Sequence, residues 1–258
     1  MTKPTTSKLV FWITMFFLFL PLFVLVFYSF NEARSMTWSG FSIRWYIKLF
    51  TDARPLWRAF GNSLIIALSS GITATVIGTL GAIGLVWYQF KGKGMLQSVS
   101  FMPLILPEII IGVSILAFFA MVGLPLGLFS IYVAHVSLTL PFVLLMVQAR
   151  LDEFDFSIIE AAKDLGAKEH QILFRVLLPI ATPGIISGFL TALTLSLEDF
   201  VVTFFVAGPG STTLPIYLFS AIKRTVPPEI RPLSVVLILS TVILVLTTRR
   251  FVKYLVKK

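Results

Sequence analysis

Residues 150–182, RLDEFDFSIIEAAKDLGAKEHQILFRVLLPIAT, form a polar island between two apolar stretches. The island holds six acids (Asp152, Glu153, Asp155, Glu160, Asp164, Glu169) and four bases (Arg150, Lys163, Lys168, Arg175). Half of the chain's twelve acids therefore sit in one connection. Phe154, Ile158 and Ile159 recur at i, i+4 and i+5 and give a first short helix one apolar face; Ile172, Leu173 and Val176 do the same for a second. Gly166 lies between them and is the natural stop, because glycine enters the left-handed region without steric penalty. Pro179 and Pro183 then open the next apolar helix.

What surrounds the island fixes the class. The chain has 258 residues, of which 57% are hydrophobic, and a mean hydropathy of +0.94. A soluble domain of this size has no use for so much apolar surface, so the chain reads as an all-α, polytopic membrane protein. The net charge of +9 comes from bases that flank apolar runs, where they anchor and orient helices rather than bind nucleic acid. With no cysteine, disulfides, thiolate metal sites and thiol catalysis are excluded. There is no Walker phosphate loop, so the chain hydrolyses no ATP by itself and binds no cofactor of its own. The HExxH metal motif is missing, and neither His135 nor His170 has a patterned Asp and Ser, so no catalytic or metal-ligating residue is assigned. The apolar run 9–30 is too long for a signal-peptide core and no small-x-small cleavage site follows it; it is expected to remain as an anchor.

Six membrane spans can be placed, at 9–30, 60–87, 98–122, 128–148, 183–206 and 232–248, in a single membrane domain covering 1–258. An even count puts both termini on one side. With the termini inside, the inner segments carry 13 Lys and Arg and the outer segments 8, so both termini and the loop 149–182 are expected in the cytoplasm. In the outer segment 31–59, Phe41, Trp45, Leu49 and Trp57 alternate with Arg44, Lys48 and Arg58, the pattern of a helix lying on a surface; the alternative is an irregular loop with interfacial aromatics. Pro103, Pro107, Pro141 and Pro183, with Gly112, Gly184 and Gly188, are expected to break spans three to five where backbone faces a cavity or neighbouring helices.

Three acids lie inside predicted spans: Glu108 in the third, Glu198 and Asp199 in the fifth. Each costs roughly 3 kcal/mol at mid-bilayer on insertion scales, and none has a Lys or Arg within its own span. Ser187, Thr191, Thr194 and Glu198 follow one another at spacings of 4, 3 and 4 and share one helical face; Ser196, Asp199 and Thr203 form an adjacent line. Anionic groups without counter-charges attract a positive solute, so Glu108, Thr191, Thr194, Glu198 and Asp199 are the candidate lining of a cation path. Alternatively the carboxylates are protonated, or hydrogen-bond helix to helix. His135 reads as a helix-packing hydrogen bonder. Tyr217 and Phe219 offer ring faces to a cation, or serve as interfacial anchors.

Glu160-Ala161-Ala162-x3-Gly166-x9-Val176-x-Leu178-Pro179 resembles the signature of permease subunits of binding-protein-dependent ABC importers, with Val176 where that pattern usually has Ile. Ser29-Phe30-Asn31, Arg44-Trp45-Tyr46, MPLILPEII at 102–110 and LTLSLEDFVVTFFVAGPGSTTLP at 193–215 are similar to the second permease subunit of spermidine/putrescine importers, many of which carry two aspartates in place of Glu198-Asp199. The resemblance implies a type I ABC importer permease fold of six transmembrane helices with cytoplasmic coupling helices. Glu160, Ala161, Ala162, Asp164, Leu165 and Gly166 would then dock into an ATP-binding subunit. It also implies partners: a homologous second permease subunit, two cytoplasmic ATPase subunits carrying ATP-Mg, an extracytoplasmic polyamine-binding protein and membrane lipid, all at the bacterial inner membrane. An importer for another solute, such as ferric iron, and a proton-coupled secondary transporter using the same acids are the rival readings.

Overall fold

Helix accounts for about four-fifths of the described backbone. A computed structural model describes residues 4–35, 37–153, 155, 157–224 and 227–256, with side chains described from residue 7 to 223 within those ranges and from 227 to 243. In order, the helices are α1 (Pro4–Ser29), α2 (Arg44–Thr51), α3 (Arg54–Trp87), α4 (Lys93–Phe101), α5 (Glu108–Val122), α6 (Leu128–Asp152), α7 (Ser157–Asp164), α8 (Glu169–Ile172), α9 (Leu178–Glu198), α10 (Val201–Val206), α11 (Leu214–Arg224) and α12 (Ile230–Val256). A 3-10 turn (Met102–Leu104) follows α4, and a π-helical stretch (Leu173–Leu177) joins α8 to α9. Among the described residues the only β contact is an isolated bridge between Asn31 and Phe41.

The chain folds as two compact units, Met1–Pro55 with Leu218–Lys258, and Leu56–Tyr217. In the first, α1 and α2 each pack on α12. None of the apolar window of α1 is buried, as suits a helix whose solvent is lipid or another chain. The segment after α1 is a folded loop knotted on the buried Asn31. Its Nδ2 donates to Thr37 O (2.8 Å), its Oδ1 accepts from Ser39 N–H (3.0 Å), and its own carbonyl accepts from Trp45 Nε1–H (3.1 Å). The expected surface helix is present as α2, but Trp45 and Leu49 are buried within the protein, and Lys48 pairs with Glu229.

The second unit is built on close approach of helix backbones. Val143 of α6 is wedged between Gly78 of α3 and Gly188 of α9: a Cβ at Gly78 would lie 2.9 Å from Val143 Cβ, and one at Gly188 3.1 Å from Val143 Cα. A Cβ at Gly184 would meet Met146 O at 2.9 Å and Arg150 Cβ at 2.8 Å. Membrane helices, which lack a strong hydrophobic drive to associate, use small residues in this way to gain contact area. Gly184 and Gly188 are therefore contact points, and α6 and α9 run on through Pro141 and Pro183 without interruption. Gly184→Val should destabilise the subunit by about 3 kcal/mol or more, because the carbonyl it strikes belongs to a packed helix. Thermal unfolding in detergent would show the drop, whereas Gly61→Ala, which meets nothing within 4 Å, should leave the midpoint in place.

The count of spans departs from expectation. Among the described residues four helical stretches are long and apolar enough to cross a membrane: Ser7–Ser29, Arg54–Trp87, Leu128–Asp152 and Glu169–Glu198. A fifth exists if Lys93–Leu104 and Glu108–Val122, bent by 108° across Pro107, are counted together. The sixth expected span lies in α12, where the described apolar stretch, Ile230–Ile243, is too short to qualify. The second short helix expected in the polar island also differs, since α8 continues through the π stretch into α9 as one apolar helix from Glu169 to Glu198.

Candidate functional site

The candidate site residues of the polar island and of the far end of α9 all belong to the second unit. In the island, α7 ends in a Schellman motif: Ala167 N–H donates to Ala162 O (3.0 Å) and Gly166 N–H to Lys163 O (2.8 Å), with Gly166 at φ +79°. Lys168 N–H donates to Gln171 Oε1 (2.9 Å) and so starts α8. Ile159 and Ile172 are buried in a cluster with Val147, Leu151 and Leu177, with Ala162 and Ala167 against its edge. Of the predicted apolar pair only Ile159 goes inside, Ile158 being exposed, and Phe154 lies outside the described residues. With its root seated, the hairpin presents Glu160, Ala161, Asp164, Leu165 and Gly166 to solvent and Ala162 half-buried. Leu165, at 89% exposed, is an apolar knob at the tip. At the entry to α7, Asp155 Oδ1 accepts from Ser157 N–H (3.0 Å), which holds its carboxyl below the usual carboxylate range. That turn is thus held at neutral pH and released as pH falls through the lowered value.

At the other end, the two predicted lines of α9 separate. Ser187, Thr194 and Glu198 are exposed and Thr191 is half-buried, so the first line faces outward. Thr191 and Thr194 give their hydroxyl protons to Ser187 O and Leu190 O (both 2.9 Å), which leaves lone pairs pointing away from the helix. Glu198 closes this acceptor face and makes no hydrogen bond or ion pair among the described residues. Glu108 is also exposed, in the first turn of α5 just past the bend at Pro107.

Asp199 behaves otherwise. It stands at the break between α9 and α10, in extended backbone (φ −63°, ψ 122°), and is 8% exposed. Its Oδ2 accepts from Thr203 N–H (2.8 Å) and Thr203 Oγ1–H (2.7 Å), and its Oδ1 from Val202 N–H (3.3 Å). His135 Nε2 is 3.3 Å from Oδ2 and 2.8 Å from Thr203 Oγ1, while Nδ1 meets Ser196 Oγ at 2.6 Å. Ser196 in turn lies 3.3 Å from Ser70 Oγ of α3. The carboxylate expected to lack partners is therefore capped, and four helices meet around it. Only the local half of this is marked in the sequence, by an Asp three residues before Val202 and four before Thr203; the contact with His135 is not. His135, 1% exposed, is the helix-packing hydrogen bonder expected of it. The Phe219 ring face is occupied by Lys223 Nζ at 4.5 Å.

Comparison with known proteins adds four findings. Residues 74–258 match the family model described as binding-protein-dependent transport system inner membrane component. The chain is 40% identical over 234 residues to the spermidine/putrescine transport system permease protein PotC of Haemophilus influenzae, covering 90% of this chain and 91% of that one. It is 41% identical over 230 residues to the putrescine transport system permease protein PotI of Escherichia coli K12, covering 86% and 82%. In fold it resembles a chain of a bacterial ABC transporter that imports the acidic polysaccharide alginate, with a TM-score of 0.77 over 95% of each chain and 14% identity.

Proposed function

Because the chain belongs to the family of binding-protein-dependent transport system inner membrane components, we propose that it is a permease subunit of an ATP-driven polyamine importer, carrying spermidine or putrescine across the bacterial inner membrane. It forms half of the path, and a homologous second permease subunit supplies the other half. Two cytoplasmic ATPases with ATP-Mg drive it, and an extracytoplasmic polyamine-binding protein feeds it. The whole chain acts as one permease domain with both termini in the cytoplasm. Its six crossings are α1, α3, the bent α4–α5 pair, α6, α9 with α10, and α12.

One observation carries the mechanism. The stretch Glu169–Glu198 is a single helix of 30 residues, about 45 Å long at 1.5 Å per residue, rooted in the Gly166 hairpin and ending in an exposed acid. A push delivered by an ATPase to Glu160, Ala161, Ala162, Asp164, Leu165 and Gly166 passes along this rod to the acceptor face of Thr191, Thr194 and Glu198. Glu108, at the mouth of the bent pair, adds a second negative charge to the path. A flexible polycation meets lone pairs and carboxylates along that face and no base. The chain's own chemistry is binding and release, and the hydrolysis belongs to the partner.

Reconstitution of the complete complex in liposomes tests this. Labelled spermidine or putrescine should enter only with the binding protein outside and ATP on the ATPase side. Uptake driven by a proton gradient without ATP would overturn the assignment.

A further inference from the structure

We propose that Asp199 is a positioning residue that never touches the transported cation: with His135, Ser196 and Thr203 it forms a buried latch that fixes the break between α9 and α10 and leaves Glu198 as the one acid of the pair facing the path. This rests on the reading of the outer face of α9 as the path lining.

The lone-pair count makes the first part of the case. A carboxylate offers about four acceptor positions. Oδ2 of Asp199 is filled by Thr203 N–H and the Thr203 hydroxyl with His135 Nε2 beside it, Oδ1 is held by Val202 N–H, and the side chain is 3% exposed, so an ammonium group finds one lone pair at most and no open approach to it. Glu198 has its full capacity free and is exposed. The second part concerns what the latch holds. α10 is fixed in the core, with Val202 and Val206 buried among Phe119, Ile131 and Ala134, and Gly112 of α5 is close enough that a Cβ there would strike Phe205 at 2.7 Å. Tying Thr203 of α10 and Ser196 of α9 to the same imidazole sets where α9 must stop. An uninterrupted helix would turn by roughly 100° per residue through this point and carry α10 to another azimuth.

The hydrogen-bond roles explain which substitutions the latch can absorb. With the Thr203 hydroxyl proton committed to the carboxylate, His135 donates from Nε2 and accepts the Ser196 proton at Nδ1. An Asn at 199 can keep its amide oxygen at the Oδ2 position, where it still accepts from Thr203 N–H and the Thr203 hydroxyl, while its NH2 takes the place of Oδ1 and gives up only the 3.3 Å contact with Val202 N–H. Ala at 199 leaves Val202 N–H and Thr203 N–H buried without acceptors, while His135 Nε2–H keeps only Thr203 Oγ1.

The experiment uses the complete complex in liposomes and titrates labelled spermidine against wild type, Asp199→Asn, Asp199→Ala and Glu198→Gln. Asp199→Asn should keep KM within about threefold of wild type, while Glu198→Gln, losing a charge-assisted contact, should raise it about tenfold or more. Asp199→Ala should lose at least about tenfold in maximal rate. A KM in Asp199→Asn raised as far as in Glu198→Gln makes Asp199 a charge contact and overturns the proposal. Two variants that keep the carboxylate decide the matter even if Asp199→Asn does not accumulate. His135→Phe should lose transport and His135→Gln, which retains a donor, should restore it; native transport in His135→Phe overturns the latch. If wild type itself imports no polyamine, the importer assignment fails instead, and that result is distinct from any variant's.

Discussion

Gly166→Val should cut uptake at least about tenfold while ATP hydrolysis by the assembled complex continues. The backbone at 166 sits at φ +79°, where an L-residue costs about 1–2 kcal/mol and a β-branched one more. Nothing lies within 4 Å of the position a Cβ would take, so the substitution meets no clash. The strain falls on the turn alone, whose two Schellman hydrogen bonds place Leu165 at the tip and aim α8 back toward the core. At about 1.4 kcal/mol per factor of ten, a strain of 2–3 kcal/mol drives the correct hairpin to a minor population of some hundredth. Transported polyamine per ATP should fall at least about tenfold. Gly166→Asn, whose side chain tolerates the left-handed region, should retain most coupling. The two measurements are ATPase rate and initial uptake in the same proteoliposomes. An unchanged ratio in Gly166→Val would remove the hairpin from the path of force.

This hairpin was legible in the sequence because everything that makes it is local. A glycine stop, a helix of about two turns before it, and an apolar residue on the inner side of each arm, Ile159 and Ile172, are properties of near neighbours; that the second arm runs on into α9 as one helix was not legible. The outward line of α9 was legible for the same reason, since a 4-3-4 spacing of hydroxyls and an acid shares one helical face whatever packs behind it. The opposite orientations of Glu198 and Asp199 were not legible. No proline or glycine marks the end of α9 at Glu198. The stop is made by a side-chain cap and by an imidazole 64 residues upstream, a tertiary contact with no signature at short range. The bend at Pro107 was signalled by its proline, but its 108° angle was not, because α5 is aimed by Gly112 against α10. Gly184 and Gly188 were read as breaks when they are points of helix contact. A glycine inside an apolar helix marks either, and only the facing helix decides between them.

Glu198→Lys should be the most damaging single change to uptake that leaves the subunit intact. Glu198 is exposed and engages no other described side chain, so its replacement removes no packing, and assembly with the ATPase and basal hydrolysis should persist. The loss falls wholly on the cargo. At about 4 Å and an effective dielectric of 20, two unit charges interact by about 4 kcal/mol, and reversing the sign turns attraction into repulsion of similar size. Salt and water in an open path reduce that figure, yet a hundredfold or greater drop in kcat/KM remains at about 2.7 kcal/mol. The neighbouring hydroxyls contribute uncharged acceptors only, so Thr191→Val or Thr194→Val should cost about threefold to tenfold each. The electrostatic origin is separable from a steric one by cargo charge. Spermidine, with three ammonium groups, should suffer more from Glu198→Lys than putrescine with two, whereas Glu198→Met, similar in length and uncharged, should affect the two more equally. Equal losses for both cargoes in Glu198→Lys, or undiminished uptake, would show that the acid at the end of α9 does not face the solute.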